Sequence, residues 1–141
     1  MKLQVYKTTL AALFLSFASI AMAQNFKFIA LGDMPYNIPE DYIRYERLIQ
    51  RINSKSPAFS IFVGDTKSGS TPCSDEYNLI VEGYFKKFIS PLLYSPGDNE
   101  WTDCHRPLAG SYDPIERLQT LRQKFFQSKF SLGKQKISLT R

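Results

Sequence analysis

Cysteine occurs only twice in this 141-residue chain, histidine and tryptophan once each, and long apolar runs are missing beyond the first two dozen residues. Two cysteines far apart, Cys73 and Cys104, exclude a thiolate cluster of the kind that binds zinc, which needs ligands at short spacing. The absence of a second apolar run excludes a membrane span after residue 23. Basic residues form no clustered stripe, so nothing points to nucleic acid. No solenoid-period repeat and no low-complexity tract occurs. What remains is a chain of 43% hydrophobic and 14% aromatic residues, long enough for one packed domain.

The first segment stands outside that domain. Lys2 and Lys7 precede an apolar run from Leu10 to Ile20, and Ala21-Met22-Ala23 follows. Charge, apolar stretch and small residues in that order make residues 1–23 a secretory signal peptide, cut after Ala23. The run falls short of the roughly 20 residues that span a bilayer. Gln24, not Cys, follows the cut, which argues against a lipid anchor. The protein is expected to be exported, to the periplasm or beyond, with residues 24–141 as its mature domain. Losing Lys2 and Lys7 leaves 16 basic residues against 13 acidic ones, a formal charge of +3. In an oxidising compartment an isolated cysteine pair usually bonds, so a Cys73–Cys104 disulfide is expected.

Strand-like and helix-like segments alternate along the mature chain. Phe26 to Leu31, Phe59 to Val63 and Pro91 to Pro96 read as strands. Asp41 to Ser54 carries Tyr42, Tyr45, Ile49 and Ile52 at helical spacing. Tyr77, Ile80, Val81, Tyr84 and Phe88 mark a second helix. Asp113, Pro114 and Glu116 supply a cap, a first-turn proline and a capping box for a third, with Ile115, Leu118, Leu121 and Phe125 as its stripe. After Phe130 the chain reads as a strand or hairpin. The pattern is βαβαβα, an α/β domain built on a parallel sheet.

All three strand segments end in the same dipeptide: Gly32-Asp33, Gly64-Asp65 and Gly97-Asp98. A single Gly-Asp is a common turn. Three at successive strand ends fall on one rim of a parallel sheet, where ligands bind. Carboxylates crowded there repel one another, and a divalent cation relieves the repulsion.

The series Ile29-Ala30-Leu31-Gly32-Asp33, Phe62-Val63-Gly64-Asp65 and Ser95-Pro96-Gly97-Asp98-Asn99-Glu100 resembles the opening motifs of calcineurin-like metallophosphoesterases, over about residues 25 to 141. The resemblance implies the N-terminal half of a four-layer α/β/β/α sandwich and a metal-dependent phosphoesterase acting on mono- or diesters. It implies two divalent ions (Mn, Fe, Mg or Zn), with Asp33 on one, Asp65 bridging both and Asp98 on the second. Asn99 stands where the family has a histidine that assists the leaving group. Pro35 stands where the first motif has a ligating histidine, with Tyr36 next to it as a substitute. The family's later histidines do not occur in this chain, whose one histidine is His105, so the resemblance implies an N-terminal portion of the domain.

Lys67, two residues after Asp65, is a candidate for contact with a phosphate-ester substrate, against the alternative of a solvated loop lysine. His105 is a candidate for the missing acid. Trp101 stacks on substrate or plugs the rim. A Ser hydrolase of the Gly-Asp-Ser type is excluded because Met34 follows Asp33. The competing function is a non-catalytic exported module that binds metal or phosphate on the same rim. Exported protein should begin at Gln24 by intact mass; retention of Met1 would contradict the leader.

Overall fold

The computed structural model describes residues 26–140; the leader and its cleavage after Ala23 lie outside the described residues. Strands β1 (Phe28–Leu31), β2 (Phe59–Phe62) and β3 (Leu92–Tyr94) form one parallel sheet in the order β1-β2-β3. Helix α1 (Asp41–Ser54) joins β1 to β2, α2 (Asp75–Phe85) joins β2 to β3, and α3 (Pro114–Phe125) follows two short 3-10 turns. The mixed α/β class expected from the alternating segments is therefore present.

A sheet that grows in one direction through right-handed crossovers puts both crossover helices on one face. That face carries Ile29, Leu31, Phe62, Leu92 and Tyr94, packed with Tyr45, Ile49 and Ile52 of α1, Tyr77, Val81 and Phe85 of α2, and Leu121 and Phe125 of α3. Helical spacing predicts most of this stripe but not all of it. Ile80 and Ile115 are exposed. The buried line of α2 runs Tyr77-Val81-Phe85, a strict four-residue step, and Phe88 is buried just past the helix end.

In α3 a buried place goes to Arg117 instead of an apolar residue. Its guanidinium donates to the Cys73 carbonyl at 2.9 Å, pairs with Asp75 at 2.8 Å and lies 4.7 Å from the centre of the Tyr112 ring. Asp113 caps the helix, accepting the Glu116 amide at 2.8 Å. Glu116 does not complete the capping box; its carboxylate turns to Arg117. Charge pairing outcompetes the local cap because Arg117 is buried and needs its partners.

Prolines flank β3, which has only three residues. Its free edge is covered by the chain after α3, where Leu92 and Leu132 exchange antiparallel bonds of 2.9 and 2.8 Å. A hairpin-like pairing continues there, Ser131 to Ile137 at 3.0 Å and Leu139 to Lys129 at 2.8 Å.

Among the described residues no helix lies over the opposite sheet face. Phe28 and Val63 are 52% and 56% exposed, and Phe28 stacks on Phe59 at 5.4 Å. Among the described residues no helix is long and apolar enough to cross a membrane.

The cysteines are joined as expected. Cys73 and Cys104 form a disulfide with Cα atoms 5.8 Å apart, closing a separation of 31 residues, and both are buried beside Ala109. A loop of that length restricts the unfolded chain by about 3–4 kcal/mol in the chain-entropy account. Replacing both cysteines by alanine is expected to lower the unfolding free energy by that amount in urea titrations, with no change in helix content.

Candidate functional site

Each strand runs straight into its Gly-Asp turn, and the turns interlock. Backbone pairing continues past the strands, with Val63 bonding Leu31 at 2.8 Å, Asp33 bonding Gly64 at 3.1 Å and Met34 bonding Asp65 at 3.0 Å. A methyl group at Gly64 would fall 2.3 Å from the Gly97 nitrogen, and one at Gly97 would fall 2.2 Å from an Asp65 carboxylate oxygen. Only glycine lets the second and third turns press together. Asp33 and Asp65 both adopt the left-handed backbone, at φ 56° and 57°. Non-glycine residues pay strain there, aspartate among the least, and such strain concentrates at functional positions.

Beneath the turns lies Glu100, which is 5% exposed. One carboxylate oxygen accepts the amides of Asp65 at 2.9 Å and Gly97 at 2.6 Å. The other accepts the Thr66 amide at 2.5 Å and its hydroxyl at 2.8 Å. The Tyr77 hydroxyl fixes Thr66 from below, donating to its carbonyl at 2.6 Å. No role fell to Glu100 in the motif series, although it closes the third motif; its position three residues after Gly97 was the available signal.

Above the turns, three oxygens converge. The Tyr36 hydroxyl lies 2.9 Å from Asp33 Oδ1 and 3.3 Å from Asp65 Oδ2. Asp41, the first residue of α1, holds the Tyr36 loop by accepting the amides of Tyr36 at 3.2 Å and Asn37 at 2.8 Å. Asn99 is buried beside them. Its side-chain amide donates to the Tyr36 oxygen at 3.3 Å and to the Lys67 carbonyl at 3.1 Å, and its backbone amide lies 3.4 Å from Asp65 Oδ1. The disulfide sulfurs of Cys73 and Cys104 sit 3.5 and 3.7 Å from the Asn99 carbonyl, so the cross-link packs directly on this residue.

The arrangement departs from three carboxylates on one point. Asp98 is exposed, and its carboxylate makes no hydrogen bond or ion pair among the described residues. No group of three or more His, Cys, Asp or Glu among the described residues is gathered closely enough to hold a metal. The amides of Asp65, Thr66 and Gly97 need an acceptor, and the third turn meets that need by directing Glu100 inward and Asp98 outward. Tyr36 takes the third place beside Asp33 and Asp65.

Lys67 is 2% exposed, so it is not a solvated loop lysine. Burial lowers its pKa, while Glu100, Asp103 and Asp65 favour the charged form. His105 is exposed on the 3-10 turn Thr102–His105, its Nδ1 2.6 Å from the Thr102 carbonyl, and no hydrogen bond joins it to Asp33, Asp65, Tyr36 or Asn99. Trp101 packs against the main core. Burial raises the Asp65 pKa; the Asn99 amide opposes this, and Glu100, Asp98 and Asp33 add to it. The Tyr36 phenol is pushed well above its usual range by burial, its bond to Asp33 and the Asp65 charge.

No protein-family model matches the chain, and no curated protein or solved structure matches it.

The Tyr36 hydroxyl has one hydrogen and two carboxylate acceptors, so that hydrogen is shared between Asp33 at 2.9 Å and Asp65 at 3.3 Å. Asp33 and Asp65 are the carboxylates that this arrangement brings together.

Substitutions at the two central carboxylates should act with opposite signs in metal-free protein. Glu100→Gln presents an amide nitrogen to backbone donors and should cost about 2–4 kcal/mol. Asp65→Asn removes a charge the fold disfavours while tolerating the left-handed backbone, so it should raise Tm at pH 7. Because the folded pKa of Asp65 is raised, its contribution is greatest below the ordinary aspartate range and is lost as pH rises through the folded value. Thermal unfolding in chelator between pH 4 and 7 checks this: Asp65→Asn should flatten that slope, and an unchanged slope would contradict the assignment.

Proposed function

We propose that this protein is a metal-dependent phosphoesterase of the calcineurin-like kind, acting on phosphate mono- or diesters after export. One observation carries the proposal: consecutive Gly-Asp turns at the carboxyl edge of a parallel sheet bring Asp33 and Asp65 onto one phenol oxygen. The open sheet face at Phe28, Phe59 and Val63 is in keeping with the first of two sheets packed face to face, as the four-layer sandwich of that family requires.

On this proposal Asp33 and Asp65 hold the ion they share, and exposed Asp98 is available at the rim for a second. Divalent ions bound there would polarise phosphoryl oxygens and lower the pKa of water. The chain's own residues set the geometry. Glu100 fixes the backbone of Asp65, the Asn99 amide orients Asp65 and Tyr36, and buried Lys67 offsets part of the negative charge. Asn99 cannot transfer a proton to a leaving group, and His105 is not joined to the cluster. That gap favours a second reading, a module that binds metal or phosphate without turnover.

Metal analysis after equilibration with Mn, Fe, Mg or Zn separates the possibilities, alongside hydrolysis of an activated phosphodiester. We expect bound metal that Asp65→Asn loses, with slow turnover. Bound metal with no turnover above background would leave the binding module. Equal metal in wild type and Asp65→Asn would remove the site.

A further inference from the structure

Two loops leave the rim, residues 66–74 after β2 and 99–112 after β3. We infer that the hollow between them is a substrate subsite, in which Arg106 and Leu108 receive the alcohol side of the phosphate ester, and that this side carries an apolar body and an acidic group of its own. The inference rests on the phosphoesterase reading above and names the class of its substrate.

The loops are fixed against each other by the Cys73–Cys104 disulfide, by the Cys73 amide on the Ala109 carbonyl at 2.9 Å, and by the Asn99 side-chain amide on the Lys67 carbonyl at 3.1 Å. Each is also braced internally. Ser68 Oγ lies 3.0 Å from Ser70 Oγ and 3.1 Å from Thr71 Oγ1. The Arg106 carbonyl accepts the amides of Ala109 and Ser111 at 3.0 and 3.1 Å, a tight return that Gly110 permits at φ 104°. The hollow between the loops measures about 480 Å³ and is lined by Gly69, Ser70, Arg106, Pro107 and Leu108. That volume suits a small organic group.

The hollow adjoins the carboxylate pair. A methyl group at Gly69 would fall 2.7 Å from an Arg106 nitrogen and 2.8 Å from Asn99 Oδ1. The same Asn99 side chain donates to the Tyr36 oxygen at 3.3 Å, and that oxygen stands between Asp33 and Asp65. One residue therefore spans from the hollow to the pair.

The walls select the ligand. Leu108 is 74% exposed, more than any other large apolar side chain among the described residues, and Pro107 adjoins it. Arg106 gives one terminal nitrogen to Asp103 at 2.8 Å. Its Nε and other terminal nitrogen make no hydrogen bond among the described residues. A guanidinium edge with free donors matches an acid group in shape and charge. An ester of a small polar alcohol has nothing to lay against Leu108 and nothing to offer Arg106; an organic acid uses both.

Phosphonates, which are not hydrolysed, test the subsite by calorimetry on the Mn-loaded exported protein. Phenylphosphonate and 4-phosphonobenzoate differ only in a carboxylate, as do benzylphosphonate and 4-(phosphonomethyl)benzoate. Wild type should prefer the carboxylated member of at least one pair by roughly fivefold. Arg106→Gln should abolish that preference, with inorganic phosphate as the reference ligand. Leu108→Ser, a change at an exposed position, should weaken both aromatic members relative to inorganic phosphate by roughly threefold. Arg51→Gln, in the last turn of α1, should keep the preference. Equal affinities within both pairs in wild type, or a preference that survives Arg106→Gln, would overturn the subsite and leave the phosphoesterase reading standing on bound phosphate. An Arg106→Gln protein that loses phosphate and carboxylated ligand alike, with Leu108→Ser unaffected, would also overturn it by placing the guanidinium on the phosphoryl group. Wild type that binds neither phosphonate nor phosphate would overturn both.

Discussion

A single buried carboxylate organises the rim. Glu100 accepts three backbone amides and one hydroxyl from the turns after β2 and β3, and those amides have no helix or strand partner of their own. Buried amides without acceptors are costly, and an ionised acceptor is among the strongest available. Once Glu100 occupies that place, the Asp65 backbone is pinned in its left-handed conformation and Gly97 is drawn against it. The position of Asn99, and through Asn99 that of Tyr36, then follows from chain connectivity and the bonds between them. The disulfide reinforces the same segment by packing on the Asn99 carbonyl.

This constraint separates the molecule into three chemically distinct surfaces. Helices cover one face of the sheet, polar and charged residues gather at its carboxyl edge, and aromatic side chains lie open on the other face. The helical layer is held by apolar contacts from all three helices, with Arg117 fastening α3 to the loop that carries Cys73. That fastening matters to the rim, because the same loop carries Lys67 and Thr66. Packing far from the site thus limits how far the second turn can move.

Much of the architecture was legible in the chain. The bounds of α1 follow from its spacing, and Asp113 with Pro114 marks the start of α3, because these signals are local. The disulfide followed from two cysteines and an expected export signal. What escaped depends on contacts between distant segments. Ile80 and Ile115 sit at helical spacing yet face outward, since burial is decided by what packs opposite. Arg117 was invisible as a core residue because its partners, Cys73, Asp75 and Tyr112, lie far away in sequence or across a turn. At the rim, Gly-Asp spacing located Asp33 and Asp65 but could not tell which of Asp98, Asn99 and Glu100 turns inward. That choice is made by unsatisfied amides on β2's turn, some 35 residues away in sequence.

The charge balance at the rim bears on what can occupy it. Asp33, Asp65, Asp98, Glu100 and Asp103 bring five carboxylates, whereas Lys67 and Arg106 are the cations whose influence reaches them. Arg106 is engaged with Asp103 at 2.8 Å, and Lys67 has Glu100, Asp103 and Asp65 around it. Glu100 is further compensated by four donors, so the uncompensated charge falls on Asp33, Asp65 and Asp98. The pair beside Tyr36 is accommodated by a raised Asp65 pKa, by the Asn99 amide on Asp65 and by one phenol hydrogen shared between two acceptors.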